Sequence, residues 1–344
     1  MHDLACVIHL HSTYSDGTGT VPEIMAAAKR AQVDVVLLTD HDTLKAKRNG
    51  DEGWHGPALL LVGEEVSPLG GNHYLSFGVD HHVRHRGLSA AGICQAVRDA
   101  GGFGFAAHPW SGGSERFKRE GMPFDDVDAA DGVELWSFAT DSAERLKSIR
   151  AALAFLAAPL RALDHPPELN MREWDRLCAG RRVPAIGGLD AHQFGKRVGP
   201  FVPIRVMSYS RSFRFIRTHV LCDEPPAGEL EHDREQVFAA LRDGRSYIAV
   251  DALAPAHGFR FWAEGPGGDV PMGAEAPAGR YSLHAVLPAP ARLRLLRDGE
   301  EIAAREGPAL VQDVEEPGVY RVEARLERHG RERTWILSNP LYLK

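Results

Sequence analysis

At 344 residues the chain is long for one domain, and one large domain plus one small one is the expectation. Hydrophobic residues at 44% and charged residues at 25% suit a globular protein with a large core, and a formal net charge of −7 argues against nonspecific binding to nucleic acid or anionic membranes. A small nucleotide or another phosphorylated substrate stays open, because bound cations can dominate a local potential.

Repeated β-then-α units fill the first two-thirds. Ala5–Leu10 and Val33–Thr39 read as strands, joined by a helix that a Thr20-Val-Pro-Glu23 capping box opens and Ala26–Ala31 continues. Next come strand Ala58–Val62, helix Ala90–Ala100, strands Gly104–Ala107 and Val133–Trp136, helices Ser142–Leu156 and Met171–Ala179, and strand Val183–Gly187. This alternation predicts an α/β fold with a parallel sheet, open or closed into a barrel. Asp233–Arg242 reads as a last helix before strand Ser246–Val250. From Pro255 onward Gly and Pro are frequent, and Tyr281–Val286, Ala291–Leu296, Gly318–Leu326 and Thr334–Leu337 read as short strands. Asp298-Gly299 marks a hairpin, so residues 255–344 are expected to form a small antiparallel β-sandwich. Cys6, Cys94, Cys178 and Cys222 are dispersed without a C-x-x-C pair, which predicts reduced structural thiols. No apolar run approaches the ~18–20 residues of a membrane span, and Met1-His2-Asp3-Leu4 has no signal-peptide character, so a cytoplasmic protein is expected.

Histidines and carboxylates follow the strands. In Ile8-His9-Leu10-His11 the period-2 alternation of a strand sends His9 and His11 to one face, a pre-oriented pair of metal ligands, and Asp16-Gly17 ends the next turn. A satisfied structural pair is the alternative. Thr39-Asp40-His41-Asp42 stands at the end of the second strand, where barrel enzymes collect reactive groups. A helix N-cap at Asp42 or Thr43 is the plainer reading of that cluster. Glu64-Glu65 offers a carboxylate able to bridge two ions. His73 and His108 follow, and Asp190 and His192 again share a face by period 2. Nitrogen and oxygen ligands without sulfur suit Zn, Mn or Fe.

His9-x-His11-Ser-x-x-Ser-Asp16-Gly and Thr-Asp40-His41-Asp resemble the motifs of the polymerase-and-histidinol-phosphatase (PHP) family over roughly residues 5–195. The stretches from Trp174 to His192 and from Trp335 to Tyr342 look like its carbaryl-hydrolase branch, which carries a C-terminal β-domain. The resemblance implies a distorted (β/α)7 barrel, here over residues 1–250, holding two or three divalent ions. It places His9, His11, Glu65 and Asp190 on a first metal, with Glu65 bridging to a second held by His73 and His108. Asp16, His41 and His192 would hold a third. Glu65 is preferred over Glu64 because the family pattern is Gly-x-Glu before an aliphatic residue.

The expected activity is hydrolysis of a small phosphoester by metal-bound hydroxide, with Asp16, His41, Glu65 and His192 in the catalytic set. A carboxyl- or carbamate-ester hydrolase using the same metals is the first alternative, and a metal-stabilised binding or regulatory protein the second. Lys196 and Arg197 are candidates for a substrate phosphate or carboxylate, and Trp110 for a pocket wall. Ordinary surface cations and core packing are the plainer readings of those three. Glu134 reads either as a group orienting a metal ligand or as half of a buried ion pair with an arginine. His81, His82, His85 and His165 read as loop residues, and His219, His257, His284 and His329 as structural or exposed.

Overall fold

The computed structural model describes residues 1–114, 120–161, 163–193, 195–198, 202–205, 207–328 and 330–344, without the side chains of 161, 195–198 and 202–205. In chain order its elements are β1 (His2–Ile8), α1 (Val21–Ala31), β2 (Val35–His41), α2 (Lys45–Arg48), β3 (Gly53–His55), β4 (Ala58–Val66), β5 (Tyr74–Phe77), α3 (Ala90–Asp99), β6 (Phe103–Ala106), β7 (Gly132–Ser137), α4 (Phe138–Arg145), α5 (Ile149–Ala157), α6 (Glu168–Gly180), β8 (Ala185–Gly188), β9 (Gly195–Val198), β10 (Val202–Arg205), α7 (Tyr209–Ser212), β11 (Ile216–Cys222), α8 (Leu230–Asp243) and β12 (Ser246–Val250). Eight further strands follow: β13 (Arg260–Gly265), β14 (Gly268–Pro271), β15 (Glu275–Ala276), β16 (Tyr281–Arg297), β17 (Glu300–Val314), β18 (Gly318–Arg328), β19 (Arg331–Ser338) and β20 (Leu341–Leu343). The fold is mixed α/β, and no helix among the described residues is long and apolar enough to cross a membrane.

Pairing runs β1–β2–β4–β5–β6–β7–β8. Beyond β8 the chain returns to β1: Leu189 N donates to Ile8 O at 2.9 Å and His11 N to Ala191 O at 3.0 Å. The links β1–β2, β2–β4, β6–β7 and β7–β8 are parallel as expected, but β5 is antiparallel to both neighbours. The short connection from β4 to β5 is too brief for a crossover and turns the chain back.

Side chains of these strands divide by parity between two apolar clusters. Cys6, Ile8, Val35, Leu37, Leu59, Leu61, Leu75, Phe77, Phe103, Phe105 and Ile186 share one cluster with Val237, Phe238 and Leu241 of α8. Val7, Val36, Leu38, Leu60, Val62, Tyr74 and Ala106 belong to the other, together with α1 and α3. Both faces of every strand are therefore covered, which explains their continuous apolar runs. Phe238 packs on Phe103, at the start of β6, with ring centroids 5.4 Å apart, so α8 closes the end opposite to the histidines.

Among the elements that differ from expectation, four bear on the packing. The helix expected over Ser142–Leu156 is broken into α4 and α5, with Ser148 capping the second by accepting from Ala151 N at 3.1 Å. β11 was hidden by Arg217, Thr218 and His219, which interrupt its apolar pattern yet are all buried. The two strands expected around Val286 and Ala291 are one, β16, carrying a register shift at that point, where Pro288 and Pro290 are tolerated. β17 was unread because most of it is exposed. Asp298 and Gly299 both take positive φ, 52° and 86°, as a tight hairpin requires. β12 also pairs with β19, joining the C-terminal strands to the first sheet.

Beneath that junction His219 is 1% exposed. Its Nδ1 lies 2.9 Å from Asp3 Oδ1, its Nε2 lies 3.3 Å from Asp251 Oδ1, and its ring stacks on Tyr247. Burial pushes the imidazole down, but hydrogen bonds and charges of Asp251 and Asp3 outweigh it and raise it to about 9. An unfolded histidine titrates near ~6.5, so this charged ring stabilises the fold fully below that pH and ceases to do so as pH rises through about 9. In urea titrations of chelator-treated protein, the stability gap between wild type and His219→Gln should shrink by roughly 3 kcal/mol from pH 6 to pH 10. A gap independent of pH would mean that folding does not raise the proton affinity of the ring.

Candidate metal centre

Strand alternation continues upward into the site, the cluster shared with α8 being the inner one and the cluster shared with α1 and α3 the outer. Leu59 and Leu61 face the inner cluster, so Glu65 does too, whereas Glu64 shares the outward parity of Leu60 and Val62. Glu64 accordingly binds His82 Nδ1 at 2.8 Å and Val83 N at 2.7 Å, away from the cluster. On β2 the same rule carries His41 inward above Leu37.

On β1 the rule fails, and the failure builds the site. Continued alternation would bury Leu10 inside and leave His9 and His11 outside. The strand ends at Ile8, and His9 takes φ 64°, a left-handed conformation that inverts the parity. Leu10 joins the outer cluster, and His9 and His11 turn inward with ring centroids 5.4 Å apart. Asp190, at φ 47°, and His108, at φ 32°, turn in similarly after β8 and β6. The expected face-sharing of His9 with His11 and of Asp190 with His192 is thus produced by a bend and not by strand alternation. Strain of this kind clusters at functional sites.

Glu65 is at the centre. Its Oε2 lies 3.2 Å from His9 Nε2, 3.3 Å from His11 Nε2 and 3.2 Å from His41 Nδ1. Its Oε1 lies 2.8 Å from His73 Nδ1 and 3.5 Å from His108 Nε2. Asp190 Oδ1 is 3.7 Å from His9 Nε2, 3.6 Å from His11 Nε2 and 3.5 Å from His192 Nδ1. Asp16, its side chain 57% exposed at the mouth, reaches His192 Nε2 at 3.2 Å, His41 Nε2 at 3.7 Å and His11 Nδ1 at 3.9 Å. Three donor groups result, each with ligand atoms within 4.8 Å: His11, Asp16, His41 and His192; His9, His11 and Asp190; and His9, Glu65 and His108. All nine residues expected to bind metal are brought together.

Burial pushes the Glu65 carboxyl up, but the charge of His9 and hydrogen bonds from His108 and His73 hold it well below the usual carboxylate range. Asp190 is likewise pushed up by burial and held down more strongly by His11, His9 and His192. Burial keeps His11 low and hence neutral. Both ring nitrogens of His11 and Nδ1 of His108 are buried without a hydrogen-bond partner. The orphaned Nε2 of His11 faces the buried carboxylates of Glu65 and Asp190 and its Nδ1 faces Asp16, an arrangement that fits a divalent cation, which would satisfy donors and acceptors together.

Further groups brace this cluster. Glu134, fully buried, accepts from His9 Nδ1 at 2.9 Å and from His108 N at 2.8 Å, which fixes the orientation of both residues, and no arginine pairs with it among the described residues. Thr140 Oγ1 donates to Asp190 Oδ2 at 2.8 Å. Ser67 Oγ donates to Glu65 O at 2.8 Å and lies 2.6 Å from His41 Nδ1. Asp40 accepts from Ser12 N, Ser12 Oγ and Ser15 Oγ at 2.6 to 2.7 Å, tying the loop that carries Asp16 to β2. Ser67 and Thr140 escaped the sequence reading, while Ser12 and Ser15 were visible in the motif without a role. A Cβ on Gly17 would sit 2.1 Å from His11 O, so this turn admits only glycine.

Trp110 is half-buried and packs against the main core. Lys196 and Arg197 lie on β9, whose side chains are outside the described residues, and His329 is outside them altogether. His165 bonds Pro166 O at 2.7 Å and takes no part in the cluster, and His85 pairs with Asp42 at 3.2 Å.

No protein-family model and no curated protein matches the sequence. Among solved structures, the chain is similar to a two-domain protein of Bacteroides vulgatus containing a predicted PHP-like metal-dependent phosphoesterase, at 13% identity over 98% of this chain and 95% of that one, with a TM-score of 0.47. It is also similar to an amidohydrolase of Chromobacterium violaceum with bound sulfate and no metal, at 16% identity over 54% and 87%, with a TM-score of 0.30. At such identities and scores, the chemistry of this chain rests on its own residues.

Proposed function

We propose that this chain is a metal-dependent phosphoesterase acting on a small phosphoester, built on a closed, distorted (β/α)7 barrel over residues 1–250 with a β-sandwich over 255–344. The observation that carries the reading is one buried carboxylate, Glu65, lying within 3.5 Å of ring nitrogens from five histidines. His9, His11, Glu65 and Asp190 would hold one ion, Glu65, His73 and His108 a second, and Asp16, His41 and His192 a third. Nitrogen and oxygen donors without sulfur suit Zn, Mn or Fe. When bound, such ions bring the ionisation of water toward neutral pH and withdraw charge from phosphoryl oxygens.

The chain supplies orientation. Glu134 holds the proton of His9 on Nδ1 and leaves Nε2 free toward Glu65 and Asp190. Ser67, having given its own proton to Glu65 O, accepts that of His41 Nδ1 and leaves Nε2 toward Asp16. Thr140 occupies Asp190 Oδ2, so Oδ1 faces His9, His11 and His192. The inner set is buried, whereas half-open Asp16 and His41 leave an entrance for substrate. Lys196 and Arg197 would bind the substrate phosphate there, with Trp110 as a wall.

The test compares p-nitrophenyl phosphate, bis-p-nitrophenyl phosphate and naphthyl acetate. Turnover of a phosphoester should be lost on chelation and should fall more than ~10²-fold in His9→Ala and in Asp190→Ala. Hydrolysis of naphthyl acetate alone would replace this reading with a carboxyl-ester hydrolase. Metal-loaded protein that cleaves none of the three would instead be a binding protein.

A further inference from the structure

The nine candidate metal ligands end at His192, yet a buried side chain beyond it touches the backbone of three segments that carry the outermost donors. Tyr209, the first residue of α7, is 1% exposed. Its Oη donates to His11 O at 2.6 Å, accepts from Gly19 N at 3.4 Å and lies 3.4 Å from His192 O. Its own N donates at 3.3 Å to Oε1 of Gln193, the residue after His192. The ring takes part too, since a Cβ on Gly19 would stand 2.4 Å from Tyr209 Cε2. α7 is itself tied to α1, where Arg30 Nη2 donates to Ser210 Oγ at 2.8 Å.

These contacts act where the site is least supported. The side chain of Asp16 is 57% exposed, and its carboxylate meets Ser15 Oγ only at 3.5 Å, so its position is set by the two ends of its loop. Asp40 holds the first end through Ser12 and Ser15. At the second end Thr18 N donates to His192 O at 3.0 Å and Gly19 rests on Tyr209. One phenol therefore joins the backbone of His11, the loop of Asp16 and the backbone of His192, three of the four members of the outer donor group.

We infer that Tyr209 is a positioning residue for the third ion: its hydroxyl sets the separation of His11, Asp16 and His192 through their backbone. The inference rests on the three-ion reading above. The first ion shares His11 but also has His9 and Asp190, which Glu134 and Thr140 brace, so it depends on Tyr209 far less.

Zinc titrations of chelator-treated protein against a competing chromophoric chelator test it. Asp16→Ala should lose one zinc equivalent and so identify the third ion. Tyr209→Phe keeps the ring and removes one oxygen. It should bind that equivalent about tenfold more weakly and the others within about threefold of wild type. Gly19→Ala, which pushes the loop off the ring with the hydroxyl in place, should do the same, and it decides alone if Tyr209→Phe does not fold. Added to Asp16→Ala, Tyr209→Phe should change zinc binding no further. Tyr342→Phe deletes another buried hydroxyl, one that accepts from Val183 N at 3.0 Å before the start of β8, and should leave every equivalent unchanged. Equal weakening of all equivalents in Tyr209→Phe would make the residue a packing element and overturn the inference. So would a titration matching wild type, or an Asp16→Ala protein that keeps every equivalent. If p-nitrophenyl phosphate is not cleaved while this zinc pattern holds, the phosphoesterase reading fails and the role of Tyr209 stands.

Discussion

Glu65→Ala is expected to remove most of the bound metal and at least about 10³-fold of turnover, equivalent to ~4 kcal/mol of transition-state stabilisation. Its carboxylate is the group on which five imidazoles converge, at 2.8 to 3.5 Å, and it is 1% exposed. Without it, the group of His9, Glu65 and His108 loses its only anion, and both ions proposed to share Glu65 lose a carboxylate ligand. Glu65→Gln is the sharper version, because it preserves volume and leaves one acceptor oxygen while removing the charge. Both should show reduced stoichiometry by elemental analysis as well as reduced activity. Glu64→Gln is the contrast: its partners are His82 and Val83 N on the outer side, so turnover should change only a few-fold. Full metal content with turnover within tenfold of wild type in Glu65→Ala would remove the central carboxylate from the proposal.

The distinction between Glu64 and Glu65 shows where the sequence was informative. Alternation along β4 assigns the two carboxylates to opposite faces, and a strand covered on both sides keeps its register strictly. The histidine-carboxylate succession after β1, β2, β4, β6 and β8 was legible for the same reason, since each follows a short apolar run. What the sequence concealed was conformational. Nothing in Ile8-His9-Leu10 announces a left-handed histidine, and period 2 brought His9 and His11 together on paper for a reason the fold does not use. Antiparallel β5 was equally hidden, because a strand's direction depends on its connection and not on its own residues. β11 was missed because its polar members, Arg217 and His219, are buried in ion pairs with Asp251 and Asp3, which lie far away in the chain. Ser67 and Thr140 are single hydroxyls in turns, with no spacing to mark them.

Glu134 makes the second large effect, by a route other than loss of a ligand. Its two oxygens support two strained residues at once: Oε1 takes the proton of His9 Nδ1, and Oε2 takes the backbone N–H of His108. Removing it frees His9 to adopt the other tautomer and leaves a buried N–H unpaired, which should weaken metal binding by about 10- to 100-fold. Glu134→Gln should be nearly as damaging as Glu134→Ala. An amide that still accepts from His108 N must offer its NH2 to His9, which then accepts at Nδ1 and carries its proton on Nε2, the atom facing Glu65 and Asp190. Gly188→Ala should reproduce the effect without touching a polar group, because a Cβ there would stand 1.9 Å from Glu134 Oε1 and 3.1 Å from His9 Cβ. Chelator competition measures the affinity, and imidazole nitrogen-15 shifts of the zinc-loaded protein report which nitrogen of His9 keeps its proton. If Glu134→Gln binds metal as tightly as wild type with His9 still protonated at Nδ1, the carboxylate merely fills space. If instead both substitutions weaken binding while Glu134→Asp partly restores it, the proton on His9 is what Glu134 controls.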